Sequence, residues 1–159
     1  MRRSLLPWAG LAIRLVAAAI WMVAGVSKIA DLQHFHAQVH AYDLLRGALE
    51  APFAYALPFV EVGIGIYLAL GLLVRPAAIL GSALMLLFIA AMAQAWARGL
   101  SLDCGCFGAV GSTHVGAGTL LRDLALGVPT FVLAFWPARF CSLDWRLLSK
   151  PDAFAAQGA

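Results

Sequence analysis

The sequence predicts an all-α integral membrane protein, a four-transmembrane-helix bundle with an amphipathic segment between helices 1 and 2. Three observations carry that expectation. Hydrophobic residues fill 63% of the 159 positions and charged residues only 12%, far more apolar than a soluble domain of this size needs. The apolar residues gather into four runs, each near the length of about 20 residues that one crossing of a bilayer requires. Between the first two runs the apolar residues change from a continuous stretch to a helical spacing. Four spans nearly exhaust the chain, so a single membrane domain, residues 1–159, is expected, with no separate soluble catalytic domain.

The first span is expected at about residues 5–27, interrupted only by Arg14 and closing at Gly25-Val26-Ser27-Lys28. Met1-Arg2-Arg3 before an apolar run has the look of a cleavable leader ending near Ala17–Ala19. The run continues through Trp21 to Val26, contains Arg14 and is followed by further spans, so it reads as an uncleaved helix. Arg2-Arg3 does not sit in a twin-arginine context. In residues 30–50, Leu32, Phe35, Val39, Tyr42 and Leu49 recur at three, four and seven while His36, His40 and Asp43 take other faces. That pattern predicts an amphipathic helix at the membrane surface.

The second span, about residues 52–74, holds one charge, Glu61, and stops at Arg75-Pro76. The third, about residues 76–97, has no charge and only Gln94 near its far end, which makes it the strongest of the four. Ala77 and Gly81, four apart, would let helix backbones approach closely there. The fourth, about residues 119–138, is weaker. Its uncharged stretch is short, so Thr119 to Asp123 must form a first turn at the interface with Arg122 snorkelling outward. Pro129 is expected to kink it. Residues 139–159 read as a short polar tail.

The net charge of +3 and pI near 9.0 do not point to nucleic acid, because the basic residues are scattered between apolar runs. They bear instead on orientation. With the N-terminus inside, Arg2, Arg3, Arg75, Arg139, Arg146 and Lys150 face the cytoplasm and Lys28, Arg46, Arg98 and Arg122 face outward. Six against four favours cytoplasmic N- and C-termini and an extracytoplasmic 98–118 loop, where thiols can be oxidised and stay so.

That loop carries the densest chemical signal, Asp103-Cys104-Gly105-Cys106-Phe107-Gly108, with two of the three cysteines one residue apart. On an extended chain their Cα atoms are at most about 7 Å apart, near the limit for a disulfide, and Gly105 supplies the unusual backbone that closure demands. A bond so placed is strained and exposed, which marks labile, exchanging disulfides, and it closes too short a loop to be a staple. Two other uses remain open for the pair: thiolates holding Cu(I) with His114, in a non-catalytic scaffold or metal-delivery subunit, and small apolar filling. Cys141, beyond the fourth span, falls on the opposite side and reads as an ordinary interfacial residue.

Glu61, about eight residues into an apolar span, costs a few kcal/mol unless something compensates it. Lys28 is the best partner, at a depth roughly 10 Å away from the helical rise, with Arg14 a poorer match. The pair is either a structural lock between the first two spans or a site of proton or substrate handling. Arg122 and Asp123 open the fourth span on the side of the cysteines. There Arg122 could favour a thiolate, or the two could simply be a snorkelling cation and a helix-start acid. His36 and His40, four apart, have metal-ligand spacing, but a polar helix face explains them better.

Ala24-Gly25-Val26-Ser27-Lys28, Pro58-Phe59-Val60-Glu61 and Cys104-Gly105-Cys106-Phe107-Gly108 together resemble the MauE/DoxX family of redox-associated membrane proteins. The last element resembles the methylamine-utilisation MauE branch in particular. The resemblance implies a protein of the bacterial inner membrane that works with a periplasmic thioredoxin-like (MauD-like) partner. Together they would mature a disulfide-rich client of the methylamine dehydrogenase type. By position it implies Cys104 and Cys106 as the exchanging pair and Lys28 and Glu61 as the family's buried polar positions. The electrons run in either direction. A membrane quinone near Trp21, Trp96 or Phe107 is the candidate second electron partner, by architectural analogy with vitamin K epoxide reductase.

Overall fold

A computed structural model of the protein describes residues 2–42, 47–100 and 115–136, with side chains from Trp8 onward. All of their regular structure is helical: α1 (Arg2–Ala30), α2 (Leu32–Tyr42), a 3₁₀ turn (Gly47–Leu49), α3 (Glu50–Leu70), α4 (Val74–Ala97) and α5 (Ala117–Phe135). Four helices, α1, α3, α4 and α5, are long and apolar enough to cross a membrane. They form a closed ring in which α1 packs on α3, α3 on α4, α4 on α5 and α5 on α1. Leu15, Val23, Phe59, Ile66, Leu86, Leu121, Val128 and Phe131 point outward and are 44–66% exposed. An apolar coat of that extent belongs in lipid.

Four charged residues of the spans turn the other way. Arg14, Lys28, Glu61 and Asp123 are all 2% exposed or less. Inside the ring, the core joins Ala17, Ala18 and Trp21 of α1 to Ile64 and Leu68 of α3, Ala77 and Ala78 of α4, and Leu133 and Ala134 of α5. Because lipid tails are as apolar as these side chains, close packing and interhelical hydrogen bonds must supply the cohesion. Both are present: the Trp21 indole donates to Thr130 Oγ1 at 3.0 Å, and the ring edge of Trp21 rests against Gly81. The small residues expected to admit a close approach on α4 are thus filled by an aromatic from α1.

Boundaries depart from the sequence reading where glycine outweighs proline. The second span ends at Leu70, not at Arg75-Pro76. Gly71 takes a left-handed conformation (φ 70°) that closes α3, with Leu72 N–H bonding to Tyr67 O at 3.0 Å, a common way of satisfying the last carbonyls. Pro76 then falls in the first turn of α4, where its missing N–H costs no helical bond. The amphipathic segment is also shorter than its apolar spacing suggested. α2 stops at Tyr42, and Leu49 stands in a separate turn with 70% of its surface exposed. α2 packs mainly on α3 and buries Phe35 and Tyr42.

Candidate functional site

Lys28 sits in the last turn of α1. Three residues earlier Gly25 meets α3. A Cβ there would lie 2.7 Å from Val62 Cγ2, 2.8 Å from Pro58 O and 2.9 Å from Val62 N. Only a hydrogen fits, so the two backbones touch, and the Lys28 side chain, one turn farther along α1, reaches back to Glu61, which lies between Pro58 and Val62 on α3. The ammonium donates to both carboxylate oxygens at 2.8 Å. The two residues are 1% and 0% exposed.

The depth gap between them is smaller than the roughly 10 Å expected. Gly25 packs on Pro58 and Val62 and Gly65 on Met22, an antiparallel register that leaves Lys28 about one turn, roughly 5 Å by helical rise, above Glu61. α1 ends beneath α2 before it reaches the level at which α3 begins, and the two long side chains close the remaining turn. Arg14, about 21 Å farther down α1 by helical rise, takes no part in this site.

The ammonium also faces two rings, with Phe35 of α2 centred 5.5 Å away and Phe88 of α4 5.4 Å away. A desolvated cation gains from both. Asp123 of α5, 2% exposed, completes the layer. It accepts from Arg122 Nε at 2.9 Å and lines the same small cavity as Lys28, Glu61, Trp21, Met85 and Phe88. That cavity measures about 20 Å³, room for little more than a water molecule. Trp21 is sealed at 2% exposure while Trp96 is 52% exposed. They are also far apart: Trp21 packs on Gly81, fifteen residues and about 22 Å along α4 from Trp96.

Asp123 is the residue whose place the sequence reading missed. It read as a helix-start acid, yet it points inward with Thr119, Gly127 and Thr130. The spacing of four, four and three along one face was the available signal. Arg122 is half-buried, its side chain 35% exposed and bonded to its neighbour.

A second polar group lies at the same end. His40 Nδ1 is 2.9 Å and His36 Nε2 3.5 Å from one oxygen of Glu50, and the His36 ring stacks on Tyr55 with centroids 5.5 Å apart. Among the described residues no three His, Cys, Asp or Glu side chains are arranged to hold a metal. Asp103, Cys104, Gly105, Cys106, Phe107, Gly108, His114 and Cys141 lie outside the described residues.

Comparison with known proteins places this chain in a family. Residues 6–136 match the family model described as methylamine utilisation protein MauE. The chain is 32% identical over 148 residues to the methylamine utilization protein MauE of Paracoccus denitrificans, covering 89% of this chain and 80% of that one. It is 38% identical over 130 residues to the MauE of Methylophilus methylotrophus, covering 80% and 66%. With the MauE of Methylorubrum extorquens the identity is 39% over 85 residues, 53% and 46% of the two chains. No solved structure matches. The chain therefore belongs to the methylamine utilisation protein MauE family.

Proposed function

We propose that this protein is a thiol–disulfide exchange component of the bacterial inner membrane. It passes electrons between its Cys104–Cys106 pair and an extracytoplasmic thioredoxin-like partner, in support of a disulfide-containing client of the methylamine dehydrogenase type. The observation that carries the reading is the family match, which runs through the Cys-Gly-Cys element, joined to relatives named for methylamine utilisation. In this reading the termini are cytoplasmic and the cysteine loop is outside.

Connectivity agrees with such a use. The segment that carries the cysteines joins the end of α4 to the start of α5, and these two ends meet through Ala95, Leu100 and Val115, on the same side of the bundle as the Lys28–Glu61–Asp123 layer. In the exchange, a partner thiolate attacks one sulfur of the loop disulfide, forming a mixed disulfide and releasing the other sulfur as thiolate. The second partner thiol displaces the first bond, so two electrons pass to the loop and the partner leaves oxidised. Run backward, the same steps reduce the partner. The ion pair acts as the lock that fixes α1 on α3.

Cys104→Ser and Cys106→Ser, expressed singly and resolved without reductant, are expected to trap a covalent, reductant-sensitive adduct with an extracytoplasmic thiol protein. One of the two should accumulate it several-fold over wild type. No adduct from either variant, with stoichiometric Cu(I) on purified wild type, would replace exchange by metal delivery.

A further inference from the structure

Among the described residues, the long helices and α2 surround the Lys28–Glu61 pair, and both members are 1% exposed or less. Between α1 and α3 the backbones are in contact at Gly25, so no opening exists there without parting the spans. Toward α4 and α5 the pair faces a cavity of about 20 Å³ that Phe88, Met85 and Asp123 line. Over the top lies Phe35, 5% exposed, carried on a helix of eleven residues that buries only one other side chain, Tyr42.

Other ties of α2 are polar and partly exposed. Glu50, at the start of α3, takes His40 and His36 on one oxygen, with the His40 side chain 77% exposed. Tyr55 stacks on His36, and Arg98 donates to the carbonyl of Tyr42 at 3.4 Å. Exposed contacts of this kind contribute little each. At the other end Asp31 separates α2 from α1, its carboxylate accepting the His34 N–H at 2.9 Å while its own N–H bonds back to Lys28 O at 3.3 Å. That residue is a ready hinge, because α2 is capped independently of α1.

We propose that α2 is a hinged strap, pivoting at Asp31 and latched by His36 and His40 on Glu50, whose release exposes the buried Lys28–Glu61 pair to water while the four spans stay assembled. Segments with few buried apolar contacts and surface polar ties open locally at the least cost, and α2 is the only cover of the ion pair, among the described residues, with that character. The strap goes beyond the exchange reading and stands independently of it.

The chain has two lysines, Lys28 and Lys150, so in a Lys150→Arg background an amine-reactive succinimidyl reagent reports on Lys28 at the peptide level. In nanodiscs, Glu50→Gln, and separately the pair His36→Ala with His40→Ala, are expected to raise the Lys28 labelling rate roughly two- to tenfold, the range that loss of one or two partly exposed polar contacts allows. Hydrogen exchange of residues 33–42 should rise in parallel, with the melting temperature and the exchange of α1 and α3 unchanged. Labelling that stays at the wild-type rate in both variants would overturn the strap. So would a rise matched by faster exchange throughout α1 and α3, since the bundle as a whole would then be loosening.

Discussion

Lys28→Met is expected to destabilise the bundle by about 3–5 kcal/mol, and Glu61→Leu by a similar amount, whereas the two together recover most of the loss. The asymmetry follows from burial. Lys28 and Glu61 are 1% and 0% exposed, and each satisfies the other through two contacts of 2.8 Å. Removing one partner leaves a charge sealed under Phe35 and Phe88 with the desolvation cost unmet. Removing both substitutes an apolar contact, which a tightly packed interior accepts with smaller loss. Reversible unfolding of the four proteins in mixed micelles measures the cycle. Single variants within about 1 kcal/mol of wild type, or a double variant as damaged as the sum of the singles, would show that the pair does not lock α1 to α3.

Gly25→Ala carries the second large effect. The added methyl would sit 2.7–2.9 Å from three atoms of α3, two of them backbone, where carbon contacts settle at about 3.5–4.0 Å. Since backbone cannot swing aside, α1 must retreat by most of an ångström, and over-packing of this kind costs about 1–3 kcal/mol. The retreat also stretches the Lys28–Glu61 contacts one turn away, so the loss should be larger than that of a comparable over-packed site without an ion pair beside it. Gly63, in α3 but with open space where its Cβ would go, is the control. Gly63→Ala should leave stability unchanged or raise it by up to about 1 kcal/mol through helix propensity. The same melts distinguish the two; equal behaviour of Gly25→Ala and Gly63→Ala would mean that the crossing is not tight.

The residues themselves explain which parts of this architecture could be seen from sequence. The spans were legible because uninterrupted apolar runs of membrane length have few other uses. The pairing of Glu61 with Lys28 was legible because an acid in such a run demands compensation and few cations were near. Their depth was not, since it depends on α1 ending below the rim and α2 folding back over it, a tertiary arrangement without a local signature. The end of α3 was misjudged because Arg75-Pro76 is a louder sequence signal than Gly71, although proline is harmless in a first helical turn and a left-handed glycine is not. Asp123 was hidden by its position early in α5, where acids are ordinary; only its alignment with Thr119, Gly127 and Thr130 reveals an inward face. The meeting of His36 and His40 with Glu50 joins two elements across a linker, and no spacing rule reaches that far.

The proposed exchange of bonds between the Cys104–Cys106 pair and an extracytoplasmic thiol protein is open to direct test. The most direct measurement replaces both by alanine, in a strain deleted for the chromosomal copy, and follows the oxidation state of the extracytoplasmic client by thiol alkylation alongside growth on methylamine. The double variant, present in the membrane at wild-type level, is expected to be indistinguishable from the deletion. A double variant that restores both client oxidation state and growth to wild type would contradict the exchange.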